Sequence, residues 1–147
     1  PASGKIVVSH ERWKANKDAL KARGNVGVVI PGALDVTELK DDLAALAAVF
    51  LHFGFIKPKP EGGLTNDGRA YSQARLLRQR HGYQGEIRAT GDVFRDTIFA
   101  MGRCGVNAIE PRNGLSAEDA LNAFKDFSLA YQAAADGQPS IFRRRLA

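Results

Sequence analysis

Asp67, Arg69, Tyr71, Ser72 and Arg75 crowd into one short stretch of the chain, and Arg88, Asp92 and Glu110 follow at wider spacing. Arginine presents a planar fork of N–H donors that matches a carboxylate, a phosphate or a sulfur oxyanion. Tyrosine and serine hydroxyls add donors beside it. Asp67-Gly68 reads as a turn opening a helix, and the first amides of a helix attract anions. Arg69, Tyr71, Ser72, Arg75 and Arg88 are therefore the candidate anion- or substrate-binding residues, and Asp67, Asp92 and Glu110 the candidate catalytic carboxylates. Each also has a plainer role. Asp-Gly is ordinary turn chemistry, and Asp92 suits the N-cap of a helix. Arg88, set in an apolar run, needs an ion-pair partner such as Glu86, Asp92, Asp96 or Glu110.

The other reactive side chains carry less. Cys104 is the single cysteine, which excludes a disulfide within the chain and a cysteine-only metal cluster. It falls in the last turn of an expected helix, where the dipole disfavours a thiolate, so a buried, inert thiol is expected. His10, His52 and His81 lack metal-ligand spacing, and no metal site is expected. His52, in an apolar run, is the histidine nearest to a functional role. No Walker-type phosphate loop, no Gly-x-Gly-x-x-Gly after a strand and no cysteine cluster is present, so no cofactor is evident.

Alternating strands and helices must position these groups. Residues 6–8 are strand-like, 11–23 are patterned as a helix, and 26–30 form a β-branched run closed by Pro31-Gly32. Asp35 and Glu38 make a capping-box-like start, and Leu39, Leu43 and Leu46 repeat at helical spacing, which predicts a helix there. A second core strand is expected at 49–53, then a loop over 54–68. A helix over 71–81 turns Ala70, Ala74 and Leu77 inward. Strands at 86–90 and 106–109 flank a helix with Phe94, Ile98 and Met101 inside, started by Asp92. Ser116 caps a last helix carrying Ala117, Leu121 and Phe124, and the tail from 131 reads as extended or irregular.

This alternation predicts one α/β domain over residues 1–147, with a mostly parallel sheet of four to five strands built from repeated βα units. Two architectures stay open, a half-barrel and an open flavodoxin-like sheet. In either, loops beyond the carboxyl ends of the strands converge on one mouth, which would gather Asp67, Arg69, Arg88, Asp92 and Glu110 around one concavity, with Arg112 in the last of those loops. Open sheet edges and the inner face of a half-barrel need cover, so a homodimer is expected.

The chain carries a formal charge of +5, with lysines early and arginines late. Such a surplus draws small anions or an acidic protein. Nucleic acid is not expected, because no aromatic-interleaved basic signature appears. No apolar run reaches a membrane span, residues 1–5 show no signal-peptide pattern, and the lone cysteine fits a reducing compartment, so a cytoplasmic protein is expected.

Asp67-Gly68-Arg69-Ala70-Tyr71-Ser72-Gln73-Ala74-Arg75-Leu76-Leu77-Arg78 and Gly85-Glu86-Ile87-Arg88-Ala89-Thr90-Gly91-Asp92-Val93 form long, specific motifs. Arg103-Cys104-Gly105, Asp126-Phe127-Ser128, Ala130-Tyr131-Gln132 and Phe142-Arg143-Arg144 extend them over nearly the whole chain. Together they resemble a bacterial domain-of-unknown-function family, number nine hundred and thirty-four, encoded beside assimilatory sulfite reductase genes. The resemblance implies a part in sulfite reduction, its members being described as probable oxidoreductases. It brings no catalytic residue with it. The linker 55–64, with Lys57-Pro58-Lys59-Pro60, is longer than the family pattern. Three functions stay open. One is an accessory protein binding an anion or an acidic partner, such as sulfite reductase or an acidic electron carrier. Another is a small oxidoreductase or lyase-like enzyme acting on an anionic substrate at the same mouth. The third is a structural homodimer without a ligand.

Overall fold

Apolar and β-branched residues at alternate positions give the chain its central strands, and a computed structural model shows how they pair. It describes residues 4–56, 65–112 and 114–145. The strands in chain order are β1 (Ile6–Ser9), β2 (Val26–Ile30), β3 (Leu46–Phe53), β4 (Phe55–Ile56), β5 (Thr65–Asn66), β6 (Glu86–Gly91) and β7 (Ala108–Ile109). Five form one sheet in the order β1-β2-β3-β6-β7, with every pairing parallel. β4 and β5 make a separate antiparallel ribbon where a loop was expected, and linker residues 57–64 lie outside the described residues. The helices are α1 (His10–Ala15), α2 (Lys17–Arg23), α3 (Arg69–Gln79), α4 (Arg95–Arg103), α5 (Ala117–Ala123) and α6 (Ile141–Arg145). Among the described residues no helix is long and apolar enough to cross a membrane.

The sheet strands follow one another in space as they do in sequence. A flavodoxin-like sheet reverses direction part-way, so that its helices cover both faces. The sequential order seen here is that of consecutive barrel strands, and right-handed crossovers then put every connection on one side. Pairing register assigns the two faces. Val8, Val28, Val49 and Ile87 share a row on the covered side, as do Ile30, Leu51 and Ala89, and all seven are buried. Val7, Gly27, Ala48 and Glu86 share a row on the opposite side, followed by Ser9, Val29, Phe50, Arg88 and Ala108, then by His52 and Thr90. On that side Val7 is 49% and Val29 38% exposed, which marks the face as open among the described residues.

The leucines at 39, 43 and 46 do not make a helix. They anchor two 3₁₀ turns, Val36–Leu39 and Leu43–Ala45, and Leu46 already begins β3. The reason is Asp42 between them. Its buried carboxylate accepts from Trp13 Nε1 at 3.0 Å and meets Lys17 Nζ at 2.7 Å and Lys21 Nζ at 2.8 Å. A tertiary ion cluster thus overrides a helical pattern too short to stand alone. Asp35 does cap this segment, accepting from the Thr37 amide. Arg78 serves a similar tying role on α3, donating to the carbonyls of Tyr83, Gly85 and Gly105. It joins the start of β6 to the approach to β7. The Tyr83 hydroxyl, pushed up to about 12 by burial, donates to the Leu46 carbonyl.

Further differences are local. The expected 11–23 helix breaks at Asn16 into α1 and α2. Ser116 caps α5 as expected, but Ala120 and Ala123 are the buried positions and Leu121 is 64% exposed. The tail is irregular up to α6, a single helical turn with no buried residue.

Candidate functional site

Parallel strands deliver their carboxyl ends to one edge, and two glycines there let charged groups close in. A methyl group on Gly32 would sit 3.3 Å from Asp67 Oδ2 and 3.5 Å from the Arg69 guanidinium carbon. One on Gly54 would sit 3.1 Å from His52 Nε2 and 3.8 Å from Asp92 Oδ2. Backbone bonds hold these loops: the Asp67 amide donates to the Gly54 carbonyl and the Asp92 amide to the Phe53 carbonyl. Asp67, Arg69 and Asp92 thus stand at the carboxyl end of the sheet, with His52 near Asp92 and within electrostatic reach of Asp67.

Each mouth arginine is matched by a carboxylate. Arg69 Nε donates to both Asp67 oxygens, and its terminal nitrogen reaches Oδ2 at 2.7 Å. The Arg69 side chain holds the Asp67 carboxyl below its ordinary value, and Asp67 in turn raises Arg69. Asp67 also accepts from the first amide of α3, so it caps the helix start that was expected to cradle an anion. Arg112 pairs with Asp92 and lies 5.1 Å above the Phe94 ring. Asp92 is not the N-cap of α4. That place falls to Phe94, which uses no side-chain bond and is 38% exposed. The arginine takes the carboxylate away from the helix, and Phe94 turns out to meet it. Glu110 follows β7 at the same edge, exposed, its amide donating to the Ala89 carbonyl.

Arg88 does not join the mouth. It stands on the open sheet face beside Phe50, one row below His52 and Thr90, and pairs with Glu86 at 2.7 Å. Its guanidinium lies 5.7 Å from the Phe50 ring centroid. The structural ion pair anticipated for a charge inside a strand is what forms. Tyr71 also turns away, half-buried against Phe53 with ring centroids 4.9 Å apart, and burial raises its hydroxyl above the ordinary tyrosine value. Burial likewise raises the half-buried Cys104 thiol.

The remaining anion candidates meet on the outer face of α3. Arg69 and Ser72 line a cleft of about 340 Å³ with Thr37 and Arg80. Ser72 and Arg75 line a neighbouring one that also reaches Arg80. Arg75 Nε donates to the neutral Gln79 amide oxygen, so its charge is not cancelled. Gln73 fixes the far wall, donating to the carbonyls of Pro31 and Leu34 at 2.9 and 3.0 Å. Arg80 was missed in the sequence, although it lies eight residues after Ser72 and so returns to the same helix face. Arg112 follows β7 in the same loop as Glu110, where the sequence placed it, but its pairing with Asp92 was not expected.

These features define a singly wound, parallel α/β protein with an ion-paired mouth and an arginine-lined helix face. Residues 27–142 match the family described as bacterial protein of unknown function (DUF934), and the chain belongs to that family. No curated protein matches the chain. The resemblance carried by the 67–78 and 85–93 motifs is borne out at the level of the family.

Proposed function

We propose that this protein is a cytoplasmic accessory protein of assimilatory sulfite reduction that binds an anion or an acidic redox partner through its arginine-rich surface. The observation that carries this is the α3 face, where Arg75 bonds only the neutral Gln79 amide and Arg80 stands beside Arg69 and Ser72, with Asp35 the carboxylate lining that cleft. Exposed arginines raise association rates and select acidic surfaces more than they add affinity. The link to sulfite reduction rests on the family resemblance. Purified sulfite reductase and an acidic ferredoxin titrated against the protein supply the test. The expected result is salt-sensitive binding to one of them, weakened about tenfold by Arg75→Glu with Arg80→Glu and with an unchanged melting temperature. Binding indifferent to salt and to both reversals would remove the proposal.

A second reading has its own observation, His52 near Asp92 and within electrostatic reach of Asp67 at the carboxyl end of the sheet. An imidazole near carboxylates suits proton transfer on an anionic substrate, in a small oxidoreductase or lyase-like enzyme with Asp67, Asp92 and Glu110 as catalytic groups. A bound flavin or haem in the purified protein, seen as visible absorption, would favour it over the accessory role.

The open sheet face supports a homodimer. Val7, Val29 and Phe50 give it apolar area, and Glu86 with Arg88 makes it charge-balanced, so that a two-fold axis brings unlike charges together. Sedimentation at micromolar concentration is expected to give twice the 15.9 kDa of one chain. Val29→Asp is expected to return it to one chain's mass. A wild-type monomer would end the idea.

A further inference from the structure

Among the described residues, five of the nine exposed large apolar side chains lie between residues 121 and 142: Leu121, Phe127, Leu129, Tyr131 and Phe142, each at least half exposed. They are not scattered. The tail after α5 folds back over the outer face of α4, pegged by Arg103, which pairs with Asp136 at 2.6 Å and also donates to the Gln132 carbonyl. Phe127 meets Phe99 of α4 edge-on with centroids 4.9 Å apart, and Tyr131 meets Phe142 of α6 at 5.5 Å. Between these pairs runs a groove of about 440 Å³, lined by Phe99, Phe124, Phe127 and Leu129 with Lys125 and Arg144 on its rim. A second hollow of about 370 Å³ continues it past Phe99 and Phe124 to Leu121.

Exposed aromatic area of this kind, rimmed by arginine, has the composition of a protein-binding surface. The charges on the rim say what kind of protein. The acidic groups here, Asp126 and Asp136, are matched by Arg95 and Arg103. Lys125, Arg143 and Arg145 have no ion-pair partner among the described residues, and Arg144 bonds only the neutral Gln138. The rim thus keeps two positive charges without a carboxylate partner among the described residues, Lys125 and Arg144, with Arg143 and Arg145 on the same helical turn as Arg144. A trough walled on two sides, its aromatics stacked in pairs rather than standing proud, suits a peptide segment better than a lipid surface.

We infer that this groove, formed by α4, α5 and the tail, docks an acidic protein segment whose leucine or phenylalanine side chains alternate with aspartate or glutamate. The inference rests on the proposal of an acidic partner and adds a second contact surface for it beside the α3 face. Its chemistry is an apolar anchor in the trough with carboxylates meeting Lys125 and the α6 arginines. α6 would be held further by the partner, since none of its own residues is buried.

The test uses a fluorescein-labelled peptide alternating Leu or Phe with Glu, poly-glutamate as a charge-only probe, and phosphatidylglycerol vesicles. Fluorescence anisotropy is expected to show saturable binding of the peptide to the full chain. Phe127→Ser with Leu129→Ser, and separately Lys125→Glu with Arg144→Glu, are each expected to weaken it about tenfold or more. All four positions are exposed, and circular dichroism checks that the variants stay folded. Lys40→Glu, an exposed cation outside both surfaces, is expected to leave this peptide's affinity unchanged. Peptide binding weakened by Arg75→Glu with Arg80→Glu but by neither groove variant would overturn the groove while keeping the acidic-partner proposal. Poly-glutamate binding as tightly as the peptide would overturn the role of the trough. Vesicle binding without peptide binding would replace the protein partner by a membrane, and no binding of any probe would overturn the inference.

Discussion

Gly91→Ala is expected to destabilise the fold by about 3 kcal/mol or more, an effect of the size reserved for strained backbone and steric overlap together. Gly91 has φ of +88°, in the left-handed half of conformational space. A methyl group there would lie 2.3 Å from the Phe53 carbonyl oxygen and 2.5 Å from His52 Cε1. The first contact is with backbone and has little room to yield. That carbonyl accepts the Asp92 amide at 2.7 Å, so relief of the overlap breaks the bond that sets Asp92 at the mouth. The second contact moves the imidazole. Urea unfolding measures the loss, and the His52 ring resonances in a proton–carbon NMR spectrum measure the displacement. A shift below about 1 kcal/mol with unmoved resonances would show that the β6 end is not constrained as described.

Asp42→Asn is the second substitution expected to act strongly, through charge rather than shape. Burial pushes the Asp42 carboxyl up, but bonds from Lys17, Lys21 and Trp13 outweigh it and bring it from 3.8 down to about 2. The folded state therefore favours the charged form more than the unfolded chain does. Its contribution, about 2 kcal/mol, is fully present above the unfolded value of 3.8 and is lost as pH falls through 2. At neutral pH the asparagine variant leaves two lysines without their shared carboxylate and is expected to lose about 2–3 kcal/mol. The gap between wild-type and variant should then close as pH falls toward 2, because protonated Asp42 and asparagine both lack the charge. Urea unfolding of the two proteins across that pH range decides it. A gap that stays constant with pH would show that Asp42 acts as a neutral hydrogen-bonding group.

Asp42 also shows where reading along the chain fails. Leu39, Leu43 and Leu46 carry a helical period, and their burial is what the period predicts. The backbone they belong to is set by Trp13, Lys17 and Lys21, all more than twenty residues before Asp42. No local pattern contains that cluster. The same holds at the mouth. Asp92 precedes a helix, and locally an N-cap is its best use, but Arg112 arrives from twenty residues on and takes the carboxylate. Arg88 went the other way: a charge within an apolar strand had to find a partner, and Glu86 two residues away was close enough for the ion pair to be legible.

By itself the sequence determined the family, through its long motifs, and the parallel βα alternation, because periodicity and turn residues act locally. It also determined that Asp67, Arg69 and Asp92 lie at the carboxyl edge, since parallel strands leave no other place for the loops that follow them. Only the tertiary structure decided that the strands run in sequential order and leave one face open, because strand order depends on contacts between distant segments. It alone paired each mouth arginine with an aspartate, leaving Arg75 on α3 and Lys125 and Arg144 beside the tail without a paired carboxylate among the described residues. Charge cancellation is a matter of distances of a few ångströms between side chains, and sequence separation does not encode them.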